Sequence, residues 1–165
     1  MNGRTTRSTT STTNELGTER KEHIQKRLEH LVTLNRHGVG AYEMAVDLLS
    51  NDQYAQICQE FAEQRKHFIE ELVRMMSQYD AAPPDVQSFG GLMQDIWMNI
   101  RSTVSGDDAA VLVECDRGAE LALDLYHDAV NESLPGDVET LLRNQFSLLK
   151  GEHERIHRLV AALQQ

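Results

Sequence analysis

The sequence predicts an all-α protein, an antiparallel four-helix bundle with one additional shorter helix. Two observations carry this. Apolar residues recur at alternating spacings of four and three along four long segments, the repeat that buries one seam of each helix against its neighbours. Short turns separate the segments, and no stretch of useful length alternates as a strand would. The 165 residues hold only three Pro and ten Gly, against a loop-rich chain. That length suits one domain, burying about two-thirds of its unfolded surface.

Residues 1–18 are rich in Thr and Ser, with Arg4 and Arg7, and lack the apolar core of a signal peptide. They are read as a disordered tail, and residues 19–165 as the bundle domain. Helix A is expected from Thr18 to Leu49, with a seam of Ile24, Leu28, Leu31, Asn35, Gly38, Tyr42, Ala45 and Leu49. Ser50, Asn51 and Asp52 make the turn and cap helix B. Helix B runs to Tyr79 through Tyr54, Cys58, Phe61, Arg65, Phe68, Leu72 and Met75, and Pro83 and Pro84 break the chain after it. Helix C spans Asp85 to Val104, with Phe89, Leu92, Met93, Ile96 and Ile100 on one side and Trp97 beside them. It is short enough to cap the bundle or to face a second subunit. Ser105, Gly106 and Asp107 lead into helix D, whose seam is Leu112, Cys115, Ala119, Ala122, Tyr126 and Ala129. Leu134, Pro135 and Gly136 precede helix E, with Val138, Leu142, Gln145, Leu149, Glu152, Ile156, Leu159 and Leu163.

Sixteen Lys and Arg against twenty-six Asp and Glu leave a net charge of −10. A nucleic-acid partner would require a basic face, and an anionic membrane would repel this chain. No apolar run approaches the roughly 20 residues of a membrane span. Cys58 and Cys115 lie on apolar faces and form neither a disulfide framework nor a zinc motif, so reduced thiols and a cytoplasmic location are expected.

The polar residues inside the seams are Asn35, Tyr42, Arg65, Tyr126, Gln145 and Glu152. Asn35 lies sixteen residues before Asn51 and Arg65 fourteen after it, so the two are nearly level. Gln145 and Glu152 lie eleven and eighteen residues after Leu134, and Ala119 fifteen before it. These groups are therefore expected to meet near mid-height. A buried Arg needs a partner, and Glu152 is the first choice with Asp116 the second. The expected outcome is a buried polar network of these residues that fixes helix register.

A di-iron carboxylate bundle needs inward Glu residues and two Glu-x-x-His motifs. The only Glu-x-x-His is Glu154 with His157, and Glu154 lies opposite the seam. His153 and His157 stand one turn apart, with His153 at the seam edge. His30, His37 and His67 point away from the core. A metal-binding alternative, taking iron or manganese, would use Glu152 and His153, with Asp116, Glu120, Glu43 and Glu63 as lesser carboxylates. There is no phosphate-binding Gly-rich loop and no catalytic triad pattern.

Certain residues and short motifs resemble a known group. They are Leu28, Leu31, Gly40-Ala41-Tyr42, Phe61-Ala62-Glu63-Gln64-Arg65, Phe68, Glu71-Leu72, Gly90-Gly91 and Trp97. Cys115-Asp116-Arg117-Gly118, Tyr126, Leu134-Pro135, Gln145 and His153 continue the series. In order and spacing, over roughly residues 24–157, the chain resembles the bacterial ferritin-like four-helix-bundle domain family of unknown function. The resemblance implies a ferritin-like bundle with a shorter extra helix, in bacterial proteins often linked to stress. The family usually carries an acid where this chain has His37, a His where it has Gln94, and Arg-Gly-Glu where it reads Arg117-Gly118-Ala119. The expected function is non-catalytic, through binding or association, with a homodimer through helix C and Trp97 as one form of it. The alternative is a di-iron or manganese bundle with oxidoreductase or metal-handling activity. The residues point to no particular small-molecule ligand.

Overall fold

The computed structural model describes residues 7–85, 91–104 and 106–165. Phe89, Gly90, Ser105 and the side chains of Leu92 and Met93 lie outside what is described, and so do the expectations placed on them. Five helices form: α1 (Arg7–Leu48), α2 (Asp52–Gln78), α3 (Gly91–Ser102), α4 (Asp108–Val130) and α5 (Gly136–Leu163). No strand occurs among the described residues.

The boundaries follow local chemistry. The Asn51 side chain accepts from the amides of Gln53 and Tyr54 at 2.9 and 3.3 Å, capping α2. Asp107 caps α4 through the Ala110 amide at 3.1 Å. Two boundaries differ from expectation. α1 begins at Arg7, within the stretch expected as a tail. Asp85, the expected start of helix C, is irregular, and the described part of α3 starts at Gly91. α2 ends before its prolines. Asp80 adopts a left-handed φ of 53°, and the Ala81 amide turns back to the Met76 carbonyl at 3.0 Å.

Contacts at the two ends give the helix directions. Lys21 meets Asp80 at one end of α1 and α2, and Asn51 joins them at the other. Arg27 pairs with Glu132, while the Asp108 carboxylate accepts from the Ser50 and Asn51 amides at 2.8 and 3.0 Å. α1 therefore runs antiparallel to both α2 and α4. Tyr79 meets Asp137 and Arg155 meets Glu60, so α5 is antiparallel to α2. Two helices thus point one way and two the other, and a single long connection carrying α3 returns the chain from the end of α2 to the start of α4.

The interior has two apolar halves. One gathers Leu28, Leu31, Phe68, Leu72, Tyr126 and Leu142 near the Tyr79 end. The other gathers Tyr42, Phe61, Leu112, Cys115 and Ile156 near the Asn51 end. α3 lies over α1 and α4 with Ile96 and Ile100 buried. Met76 and Val160 are buried where the strict repeat pointed to Met75 and Leu159. A straight helix has 3.6 residues per turn, so a seam read at 3.5 drifts by about 20° per heptad. No described helix is long and apolar enough to cross a membrane.

Candidate functional site

Asn35, Arg65 and Glu152 fall in sequence between the segments that build the two apolar halves, and all are buried. Each helix supplies its residue because a polar group replaces an apolar one in an otherwise regular seam. Arg65 donates from Nη2 to Glu152 Oε1 at 2.6 Å and from Nε to Oε2 at 3.1 Å. Its Nη1 donates to Asn35 Oδ1 at 3.1 Å. Tyr42 donates to Glu152 Oε1 at 2.5 Å, and Gln64 to Oε2 at 2.9 Å.

The network continues through Asn35, which donates to the Tyr126 hydroxyl at 2.8 Å. Tyr126 donates to Gln145 Oε1 at 2.7 Å, and Gln145 Nε2 reaches Glu71 at 2.8 Å. All four long helices are joined. Gly38 makes room for the guanidinium, since a Cβ there would stand 3.4 Å from Arg65 Nη1.

The electrostatics follow from burial and pairing. Burial alone would lower the Arg65 pKa, but the Glu152 charge and hydrogen bonds and the two tyrosines outweigh it and raise it. Burial and then the Glu152 charge push the Tyr42 phenol well up. Burial likewise raises Tyr126, against the Asn35 hydrogen bond. Cys58 and Cys115 are both free and buried. The Cys58 hydrogen bond and then burial hold the Cys115 thiol well above its ordinary range, the opposite of an activated thiolate.

Both Glu152 oxygens are engaged, each by Arg65 and one further donor. A cation at Glu152 would have to displace those donors and sit beside a guanidinium. The adjoining cavity, lined by Gly38, Tyr42, Arg65, Ile96 and Cys115, is about 20 Å³. That is room for about one water, not for an organic ligand.

The structure does not gather the six carboxylate and histidine residues expected for a metal. Glu43 and Glu63 are exposed and share Lys66 at 3.1 and 2.9 Å. Glu120 is exposed. Asp116 stands outside the Arg65 network, because it lies one residue past the α4 seam and faces the flank of α5. There it meets His153 and His157. Ala119 is buried among apolar neighbours. Sequence reasoning missed Gln64 and Glu71 as network members. Their signal was a seven-residue separation along the seam edge of α2. Trp97 turns to its own chain, with Gly40 leaving space for its indole.

An all-helical protein with a saturated ion-pair network at its centre is the class these features define. The chain belongs to a family of domains of unknown function, DUF2383, whose model matches residues 23–132. The match takes in most of α1 and all of α2, α3 and α4, and stops before α5. No curated protein matches the chain significantly.

Proposed function

We propose that the protein is a non-catalytic, ferritin-like helical bundle that acts by binding or association. Its single long crossover between α2 and α4 is the connectivity of ferritin-like bundles and supports that fold reading. The observation that carries the function is the engagement of both Glu152 oxygens by Arg65, Tyr42 and Gln64. Where such bundles hold metals between inward carboxylates, this chain has a guanidinium. This argues against the alternative of a di-iron or manganese oxidoreductase centred on Glu152.

The reading includes a bacterial, cytoplasmic setting with a role in stress response, on the strength of the resemblance in sequence. It also includes self-association as a homodimer. Trp97 packs within its own chain, so exposed Met98 and Val104 are the apolar residues near α3 that such a contact would use. Elemental analysis of untagged protein tests the interior. Iron and manganese are expected well below one atom per chain in protein that carries Asp116→Asn and His157→Ala together. Near-stoichiometric iron or manganese, kept when Asp116→Asn and His157→Ala are combined, would overturn the reading.

A further inference from the structure

The geometry points to a second site on the flank of the protein, where Asp116 of α4 and His153 and His157 of α5 bind one first-row divalent transition-metal cation. His153 and His157 are four residues apart on a helix and so share a face. The antiparallel α4 brings Asp116 level with them. His157 Nδ1 lies 3.0 Å from Asp116 Oδ2, and His153 Nε2 lies 3.4 Å from Oδ1. One ligand atom from each residue falls within 4.8 Å of the others. Tetrahedral ligands about 2.0–2.1 Å from a zinc ion are about 3.3 Å apart, so small side-chain adjustments close the site.

A second observation concerns the carboxylate itself. Asp116 Oδ1 is buried and, among the described residues, accepts no hydrogen bond. His153 stands near it at 3.4 Å without the alignment of a hydrogen bond. A buried carboxylate oxygen without a donor is costly, and a cation between it and the two imidazoles would satisfy it. The neighbouring Arg117 is turned to Glu114, at 2.9 Å, and does not neutralise Asp116.

The donor set selects the ligand class. Two imidazoles and one carboxylate suit zinc, cobalt, nickel, copper or ferrous iron, whereas magnesium and calcium take oxygen ligands. The His157 side chain is 66% exposed, which gives the ion an approach and leaves a coordination position to water. The net charge of −10 raises the local concentration of cations. A bound ion would tie α4 to α5. The site is separate from the Arg65 network and does not depend on how the interior is read.

The test uses the full untagged chain, stripped with a chelator and titrated with ZnCl2 by calorimetry and with CoCl2 by visible absorption. One cation per chain is expected. Asp116→Asn, His153→Ala and His157→Ala should each weaken binding at least about tenfold. Excess ZnCl2 should raise the melting temperature of the parent chain by a few degrees, by mass action, but not that of His157→Ala. Because His157 is exposed, its variant should keep the parent circular dichroism spectrum. No saturable binding by the parent chain, or undiminished binding in both His157→Ala and Asp116→Asn, would overturn the site.

Discussion

Arg65 and Glu152 are 2% and 0% exposed at their side chains, so each depends on the other for neutralisation. Removing one leaves a buried, unpartnered charge, a change of about 3–5 kcal/mol. Glu152→Gln and Arg65→Met are each expected to lower stability by about that much in urea titrations. The double variant Arg65→Met with Glu152→Leu should recover a large part of the loss, because a well-packed apolar pair needs no desolvated charges. Additive losses in that cycle would show that the two side chains do not act as a unit. The pairing was legible in the sequence: a lone Arg in an apolar seam requires a carboxylate, and counting from the turns brought Glu152 near its level. The place of Asp116 was not. A rotation of about 100° from the seam residue Cys115 separates the interior from the flank, and spacing alone did not show which neighbour it would meet.

At the scale of the element, α3 is held by Ile96 and Ile100 and by the fit of Trp97 against Gly40. A Cβ at Gly40 would stand 3.3 Å from the indole nitrogen, whereas one at Gly118 would lie 3.7 Å from Ile96. Gly40→Val is therefore expected to displace the indole and shift its emission to the red, at a cost of about 1–3 kcal/mol. The chain has a single Trp, so the emission reports α3 directly. Gly118→Ala should leave the emission unchanged and gain up to about 1 kcal/mol of helix propensity. Equal spectra for Gly40→Val and the parent would exclude this packing. The order of the five helices and the turns that precede α2 and α4 were readable from turn chemistry, whereas the choice of Asp107 as the cap of α4 came from the structure. The stop at Asp80 was not, since a left-handed Asp competes with two conspicuous prolines as the signal.

For the molecule as a whole, Tyr42 and Tyr126 tie the apolar halves to the polar layer and hold their protons above the ordinary value of 10.0. Below that pH, both folded and unfolded chains keep these protons and the contribution to stability is full. As pH rises past it, the unfolded chain releases them first, so stability falls. Urea midpoints are expected to drop above about pH 10, and Tyr126→Phe should flatten the fall. The ultraviolet signal of the two buried phenolates should appear together with loss of helical circular dichroism. Ionisation of both tyrosines ahead of helix loss would contradict this.

The sequence by itself determined that the chain is helical, which residues lie along the central part of each buried stripe, and that polar groups interrupt the stripes at matching heights. These properties are periodic and local, set by 3.6 residues per turn and by capping. Tertiary structure decided which polar groups share a hydrogen bond, that the half-buried Trp97 indole packs against Gly40, and that Asp116 faces His153 and His157. Those outcomes depend on helix rotation and on the crossing of the long connection. Rotating a helix by one residue moves a side chain by about 100°, and only packing against the neighbouring helices fixes that angle.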